Sequence, residues 1–229
     1  ADLYQFRTMT ANNSKPFIFT SADNRNTVQL FEMAMAIAGG KEKLEEKPFF
    51  IQYTEPTSPL VGTKDALGRL LLSAEYGVPA TFTSGTLPGA SSPITPAGTV
   101  IMSLAEELSG VLISQLKRPG TPIIIGGAAS PMDMKTAGAS YGVPSALIID
   151  KALSEVSKYI DMPVFSEAGF SDSKVIDGQQ AMEASISITE MARTEADLIH
   201  DVGYLESGQT GSLESVVIGN EIVGYVRRL

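Results

Sequence analysis

The stretch SGTLPGASSPITPAG (84–98), TVIMSLAEELSGVLISQLKR (99–118) and PGTPIIIGG (119–127) decides how the chain is read. A loop of small residues leads into an apolar, helix-periodic run. That run starts at Thr95-Pro96, stops before Pro119-Gly120, and is followed by a short apolar strand. Thr95 is suited to cap free backbone N–H groups, and Pro96 fits the first helical position because it has no N–H to leave unpaired. Gly126-Gly127 lets a backbone approach a ligand without side-chain obstruction. The pattern is a loop–helix–strand–loop module, the kind that places chemistry at strand ends.

The same rhythm recurs on either side. Strands are expected in KPFIFT (15–20), KPFFIQYTEP (47–56), PATFTSG (79–85), PIIIGG (122–127), PVFSEAG (163–169) and DLIHDVG (197–203). They are short and rich in Ile, Phe and Val, as expected of parallel strands buried on both faces. Helices are expected between them: ADNRNTVQLFEMAMAIAGG (22–40), TKDALGRLLLSAEYG (63–77), residues 144–159, VIDGQQAMEASISITEMARTEA (175–196) and GSLESVVIGNEIVGYVRRL (211–229). Leu30, Met33, Ala34 and Ile37 recur at helical spacing, and Gly39 and Gly77 are natural helix stops. Residues 1–13 read as the tail of a helix ending at the turn signal Asn12-Asn13.

Strand starts about 30 to 40 residues apart match the length of one βα unit. Equal units without a GxGxxG fingerprint favour a (β/α)8 TIM-type barrel over a dinucleotide-binding sheet. Six units are visible where a closed barrel needs eight. The expectation is therefore an α/β protein, a single barrel domain over 1–229, incomplete in this chain. An opening Ala1 fits a piece excised from something longer.

Composition narrows the function classes. Apolar residues make up 43% and charged ones 19% of the 229, which fits an ordered globular protein. A formal net charge of -9 disfavours nucleic acid as the main partner and tolerates a cationic substrate. The absence of cysteine removes thiolate zinc sites, iron–sulfur clusters and thiol nucleophiles. A single histidine, His200, removes multi-histidine metal sites, and no protein-bound metal is expected. No run reaches the roughly 18 apolar residues of a membrane helix, and no signal peptide is visible, so the expectation is a cytoplasmic protein without a membrane partner.

In a βα barrel the active site lies at the C-terminal ends of the strands. That rule makes Glu55 and Glu167 the sharpest candidates, since a strand-end carboxylate can hold a cation or move a proton; each could equally be a solvated loop acid or a capping partner. Tyr53 offers a π-face to a quaternary ammonium, or points outward under a helix. His200 beside Asp201 is a candidate catalyst or a packed, hydrogen-bonded histidine. Asp177, Gln179 and Glu183 form D-x-Q-x-x-x-E at a helix start, a ligand-facing set or a polar face with a capping acid. Ser84 and Gly127 sit at strand ends. Lys174, in GFSDSK, would need desolvation to act as a nucleophile, and its polar neighbours do not promise it. Asp133 in SPMDMKT is expected to cap a helix.

The fragments AMAIAGGKEKLEEKPFF, TEPTSPL, LLSAEYGVPA, PGASSPITPAG, QLKRPGTPIIIGG, ASPMDM, SDSKVIDGQQAMEA and LIHDVGYLESGQTGSLESVVIGNEIVGYVRR, in this order, resemble the trimethylamine methyltransferase family, which includes glycine betaine methyltransferases. The likeness runs through nearly the whole chain. It implies a (β/α)8 barrel that moves a methyl group from a tertiary or quaternary amine to the Co(I) of a corrinoid (cobalamin) on a separate corrinoid protein, in one-carbon metabolism such as methanogenesis. Some members carry pyrrolysine; this chain has only standard residues, so it resembles the branch without it, with SDSK near Lys174 as the nearest match to that position. Family members are longer, with an upstream part and a glycine-rich C-terminal segment that are absent here.

On this reading Glu167, His200 and Glu55 are the catalytic residues. Tyr53, Ser84, Gly127, Gln179, Glu183, Asp177 and Lys174 contact the methylated amine, with the corrinoid protein docked over the barrel mouth and the chain in a homo-oligomer. The small residues of PGASSPITPAG and Gly127 would leave room for the corrinoid or the substrate. Two other readings fit the sequence: a non-catalytic barrel that binds a quaternary amine or the corrinoid protein, and a lyase or aldolase using Lys174 through a Schiff base.

Overall fold

A computed structural model describes residues 1–229. After helix α1 (Asp2–Asn12) the chain alternates strand and helix: β1 (Phe17–Phe19), α2 (Asn24–Ala38), α3 (Lys41–Glu46), β2 (Phe50–Gln52), α4 (Lys64–Tyr76), β3 (Ala80–Thr86) and α5 (Pro96–Lys117). It continues through β4 (Ile123–Ala129), α6 (Pro144–Tyr159), β5 (Val164–Glu167), α7 (Gly178–Met191), β6 (Leu198–His200), a hairpin of β7 (Tyr204–Leu205) and β8 (Thr210–Gly211), and α8 (Leu213–Val226). The six main strands are parallel and lie in one sheet in chain order, β1 to β6. A doubly wound sheet reverses direction at a switch point; this one does not, and its order is that of six consecutive units of a (β/α)8 barrel.

Local chemistry sets the element ends. The Asp23 carboxylate accepts from the Asn26 N–H to open α2, and Gly39 closes it in the left-handed region, φ 86°. Thr63 caps α4 through the Ala66 N–H, and Gly77 closes it at φ 73°. Thr95 accepts from the Gly98 N–H at 3.3 Å at the start of α5, with Pro96 as its first residue. Two elements carry too little periodicity to be foreseen. Helix α3 has six residues and one buried anchor, Leu44. The β7–β8 hairpin pairs two residues with two, as Tyr204 with Gly211 and Leu205 with Thr210.

Two expectations need correction. Helix α5, at 22 residues, is by length and composition long and apolar enough to cross a membrane. It nevertheless lies between β3 and β4 in the βα alternation, with Glu106 and Glu107 buried, as a crossover helix does. Asp133 caps no helix: its Oδ1 accepts from the N–H groups of Lys135 and Thr136 at 2.7 and 3.2 Å, an aspartate turn within the loop after β4.

The chain divides into two compact units, Ala1–Thr83 with Glu106–Ile125 and Ser84–Ala105 with Gly126–Leu229. In the first unit the core gathers Phe6, Phe19, Phe31, Phe50, Leu30, Leu44 and Val78. The Phe6 ring stands edge-on to Phe19 and Phe50 at 5.3 and 5.0 Å, so α1 is pinned to β1 and β2 by aromatic packing, each ring worth about 1.5–3 kcal/mol of burial. In the second unit Val100, Ala129, Ile149 and Leu153 pack α5 and α6 on β4. Ala168, Ile188 and Met191 carry α7, with Ile222 and Val223 of α8 against them.

Candidate functional site

In the second unit β5 and β6 run in parallel register, Phe165 beside Leu198, Ser166 beside Ile199 and Glu167 beside His200. The register brings the two strand ends together, and the Ala168 N–H donates to the His200 carbonyl at 2.9 Å. Glu167 is 3% exposed, and its Oε1 has no hydrogen-bond partner. The His200 ring stacks on the Phe165 ring, centroids 3.9 Å apart and planes 15° apart. Its Nδ1 lies 2.6 Å from Asp201 Oδ1. Asp201 sits in the left-handed region at φ 73°, which a short polar side chain tolerates and which turns its carboxylate back onto the imidazole. One donor atom from each of Glu167, His200 and Asp201 falls within 4.8 Å of the others, close enough to address a single cation.

A third carboxyl belongs to the same neighbourhood. Asp150, on the inner face of α6 with Ala146, Ile149, Leu153 and Ser154, is buried. Its Oδ1 accepts from the Ala129 N–H at 2.8 Å at the end of β4. Burial pushes the Asp150 carboxyl up to about 8, against the pull of that backbone bond. The Glu167 carboxyl is held well above the ordinary glutamate range, first by burial, then by the negative charges of Asp150 and Asp201 and by a hydrogen bond with Asp201. A buried, acceptor-rich group of carboxyls with an unsatisfied oxygen is chemically suited to a cation or a proton and hostile to an anion.

The model of the family described as trimethylamine methyltransferase (MTTB) matches residues 3–229. The chain belongs to this family. Trimethylamine methyltransferase MttB of Methanosarcina thermophila is 31% identical over 228 residues, covering 99% of this chain and 47% of the relative. MttB of Desulfitobacterium hafniense DCB-2 is 32% identical over 218 residues, covering 95% of this chain and 44% of the relative. Glycine betaine methyltransferase of D. hafniense Y51 is 28% identical over 216 residues, covering 94% and 45%. The chain thus spans about half the length of the curated relatives it matches. Among solved structures, a dihydropteroate synthase from Coxiella burnetii aligns with 99% of this chain and 85% of its own, at 10% identity and a TM-score of 0.44.

In this MTTB-family chain the residues singled out from sequence fall into separate groups. Glu167 and His200 come together. Tyr53 and Glu55 lie beyond the end of β2 in the first unit, where the Tyr53 hydroxyl donates to Glu55 Oε2 at 2.6 Å. Asp177 is the N-cap of α7, accepting from the Gln180 N–H at 3.0 Å, a bond that holds its carboxyl below the usual range. Glu183 Oε2 accepts from the Ser171 hydroxyl and the Asp172 N–H at 2.6 and 2.9 Å, and Gln179 Nε2 donates to its Oε1 at 2.9 Å. These two residues thereby fasten α7 to the loop after β5. Lys174 is 78% exposed and pairs with Glu206 at 3.3 Å.

Gly127 has a structural part of its own. At φ 143°, a Cβ there would lie 2.1 Å from the Ser84 carbonyl oxygen; at Gly126 it would lie 2.0 Å from the Phe165 carbonyl oxygen. The space where a side chain would stand at each glycine is filled by neighbouring backbone, so the pair permits close strand contact. Ser84 is itself buried.

Asp150 and Gln180 escaped the sequence reading. Asp150 was legible in principle, because it occupies a core position in the stripe Ala146, Ile149, Leu153, where an acid is out of place. Gln180, not its neighbour Gln179, is the buried amide of α7, and neither its oxygen nor its nitrogen has a partner.

Proposed function

We propose that this chain carries the amine-binding part of a methyltransferase that moves a methyl group from a tertiary or quaternary methylated amine to the Co(I) of a corrinoid carried by a partner protein. The observation that carries the reading is the buried Glu167 carboxyl at the end of β5, with Oε1 unpartnered and Asp201 and His200 beside it. Family membership supports the reaction class, and the names of the MttB and glycine betaine methyltransferase relatives support the substrate class.

The cluster would match the positive charge on nitrogen while the flat His200–Phe165 stack packs against methyl groups. His200, held by Asp201, is fixed in orientation by this bond and the stack. Burial excludes water and strengthens the charge match. The reduced corrinoid supplies the nucleophile, so no side-chain nucleophile is required. A quaternary amine carries the positive charge already and a tertiary one would bind protonated, so the C–N bond would break with its electron pair left on a nitrogen that leaves neutral, the corrinoid supplying the acceptor for the methyl when its carrier is docked. Release of one positive charge from the anionic cluster helps the product depart.

The test is methyl transfer from a panel of trimethylamine, tetramethylammonium and glycine betaine to Co(I) cobalamin, followed by its absorbance change. Demethylation of at least one amine by the protein, lost in Glu167→Ala, is expected. Turnover unaffected by Glu167→Ala, or none with any amine, would remove the proposal.

A further inference from the structure

We infer that the Glu167–Asp201–Asp150 cluster is an exchange site, which holds a proton in the free protein and gives it up to solvent when a quaternary ammonium group takes its place. The inference rests on the amine-binding reading above and adds to it the proton stoichiometry of binding. Two carboxyls from neighbouring strand ends meet here, Glu167 from β5 and Asp201 from the residue after β6, with one oxygen of each within 4.8 Å of the other, and the buried Asp150 of α6 adds its charge to theirs. The titratable groups facing Glu167 are Asp150 on α6 and His200 and Asp201 at β6. The ion pairs made by the chain's lysines and arginines engage other carboxylates, namely Glu45, Glu75, Glu190, Asp197 and Glu206.

The physical sequence follows from charge. Carboxylates this close in a poorly solvated place repel, and without a counter-cation the cluster keeps fewer negative charges than it has carboxyls. Glu167 is the most sheltered of the strand-end groups and has an oxygen with no hydrogen-bond partner, so it is the natural holder of the proton. A quaternary ammonium brings the missing positive charge but can neither donate nor accept a proton. Its entry favours the ionised Glu167, and one proton passes from the Glu167 carboxyl to buffer for each cation bound. His200 is held to Asp201 through Nδ1, which fixes the placement of the Asp201 carboxyl beside Glu167.

The experiment is titration calorimetry of the full chain with tetramethylammonium chloride at pH 7, in phosphate and in Tris, whose ionisation enthalpies differ. Proton release on binding is expected, up to one per cation, with affinity that rises with pH by at most about tenfold per unit. Glu167→Gln, checked for folding by circular dichroism, should bind more weakly and release almost no proton. Asp201→Asn, which keeps an acceptor for His200 and suits the left-handed backbone, should retain folding and release less than the native chain. Binding of tetramethylammonium without proton release would overturn the exchange and leave the amine-binding reading standing. Absence of binding would overturn both. A tightly held metal ion found by elemental analysis, displaced by the ammonium in place of a proton, would also overturn the exchange.

Discussion

Replacing Asp150 by Asn should make the protein more stable at neutral pH and should change the shape of its pH–stability curve. Asp150 is buried on α6, and burial raises its carboxyl from 3.8 to about 8. For an acid raised in the folded state, the protonated form is the one the fold prefers. Its contribution is complete below about pH 4 and declines as pH climbs toward 8, because the unfolded chain ionises first. The roughly 3 pH units between 3.8 and neutrality, at about 1.4 kcal/mol each, amount to about 4 kcal/mol. Asn keeps the oxygen that accepts from the Ala129 N–H at 2.8 Å and cannot ionise. Its amide N–H groups cost part of the gain, so a net stabilisation of about 2–4 kcal/mol at pH 7 is expected, vanishing or reversing near pH 4. Urea unfolding of native and variant chains at pH 4, 5.5 and 7 measures it. A constant offset at all three values, or a loss that grows with pH, would refute the account of Asp150 as a proton-holding core acid.

Two further substitutions probe the frame that carries the site. Gly127→Ala would set a Cβ 2.1 Å from the Ser84 carbonyl oxygen at φ 143°, so at least about 3 kcal/mol should be lost, seen as a fall in Tm of roughly 6–12 °C; a Tm unchanged within about 2 °C would contradict the strand-contact role. Glu106 is buried in the first unit and accepts from the Ser58 hydroxyl and the Leu60 N–H at 2.8 and 2.6 Å. Glu106→Ala strands both donors and should cost about 2–4 kcal/mol and open residues 54–62 to proteolysis, whereas uniform protease resistance would place the anchor of that loop elsewhere.

The frame was legible because its signals are local and repeated. Each main strand starts within three residues of its expected place, since Pro precedes the apolar run in five of the six, and caps such as Asp23, Thr63 and Thr95 act within one turn. The six-residue α3 and the two-residue strands of the hairpin are too short to show a period. The site was legible only in part. Strand-end position picked out Glu167 and His200, whose pairing follows from register. Asp150 joins from a helix, and no strand-end rule finds it. Polar residues at a helix start looked alike in sequence, yet Asp177, Gln179 and Glu183 are used to cap and fasten α7, and the buried amide is Gln180. Gly127 is ambiguous for a related reason: a glycine pair at a strand end suits ligand approach and backbone approach alike, and the neighbouring backbone at Ser84 and Phe165 shows the second.

The most direct test of the central claim is a crystal structure of the chain with tetramethylarsonium, an electron-dense isostere of the quaternary ammonium, located by the anomalous signal of arsenic. The account predicts an arsenic peak beside the Glu167 carboxyl, within about 5 Å of it and in contact with the His200–Phe165 stack. A peak at the Tyr53–Glu55 pair or on the outer surface, with none at Glu167, would contradict it.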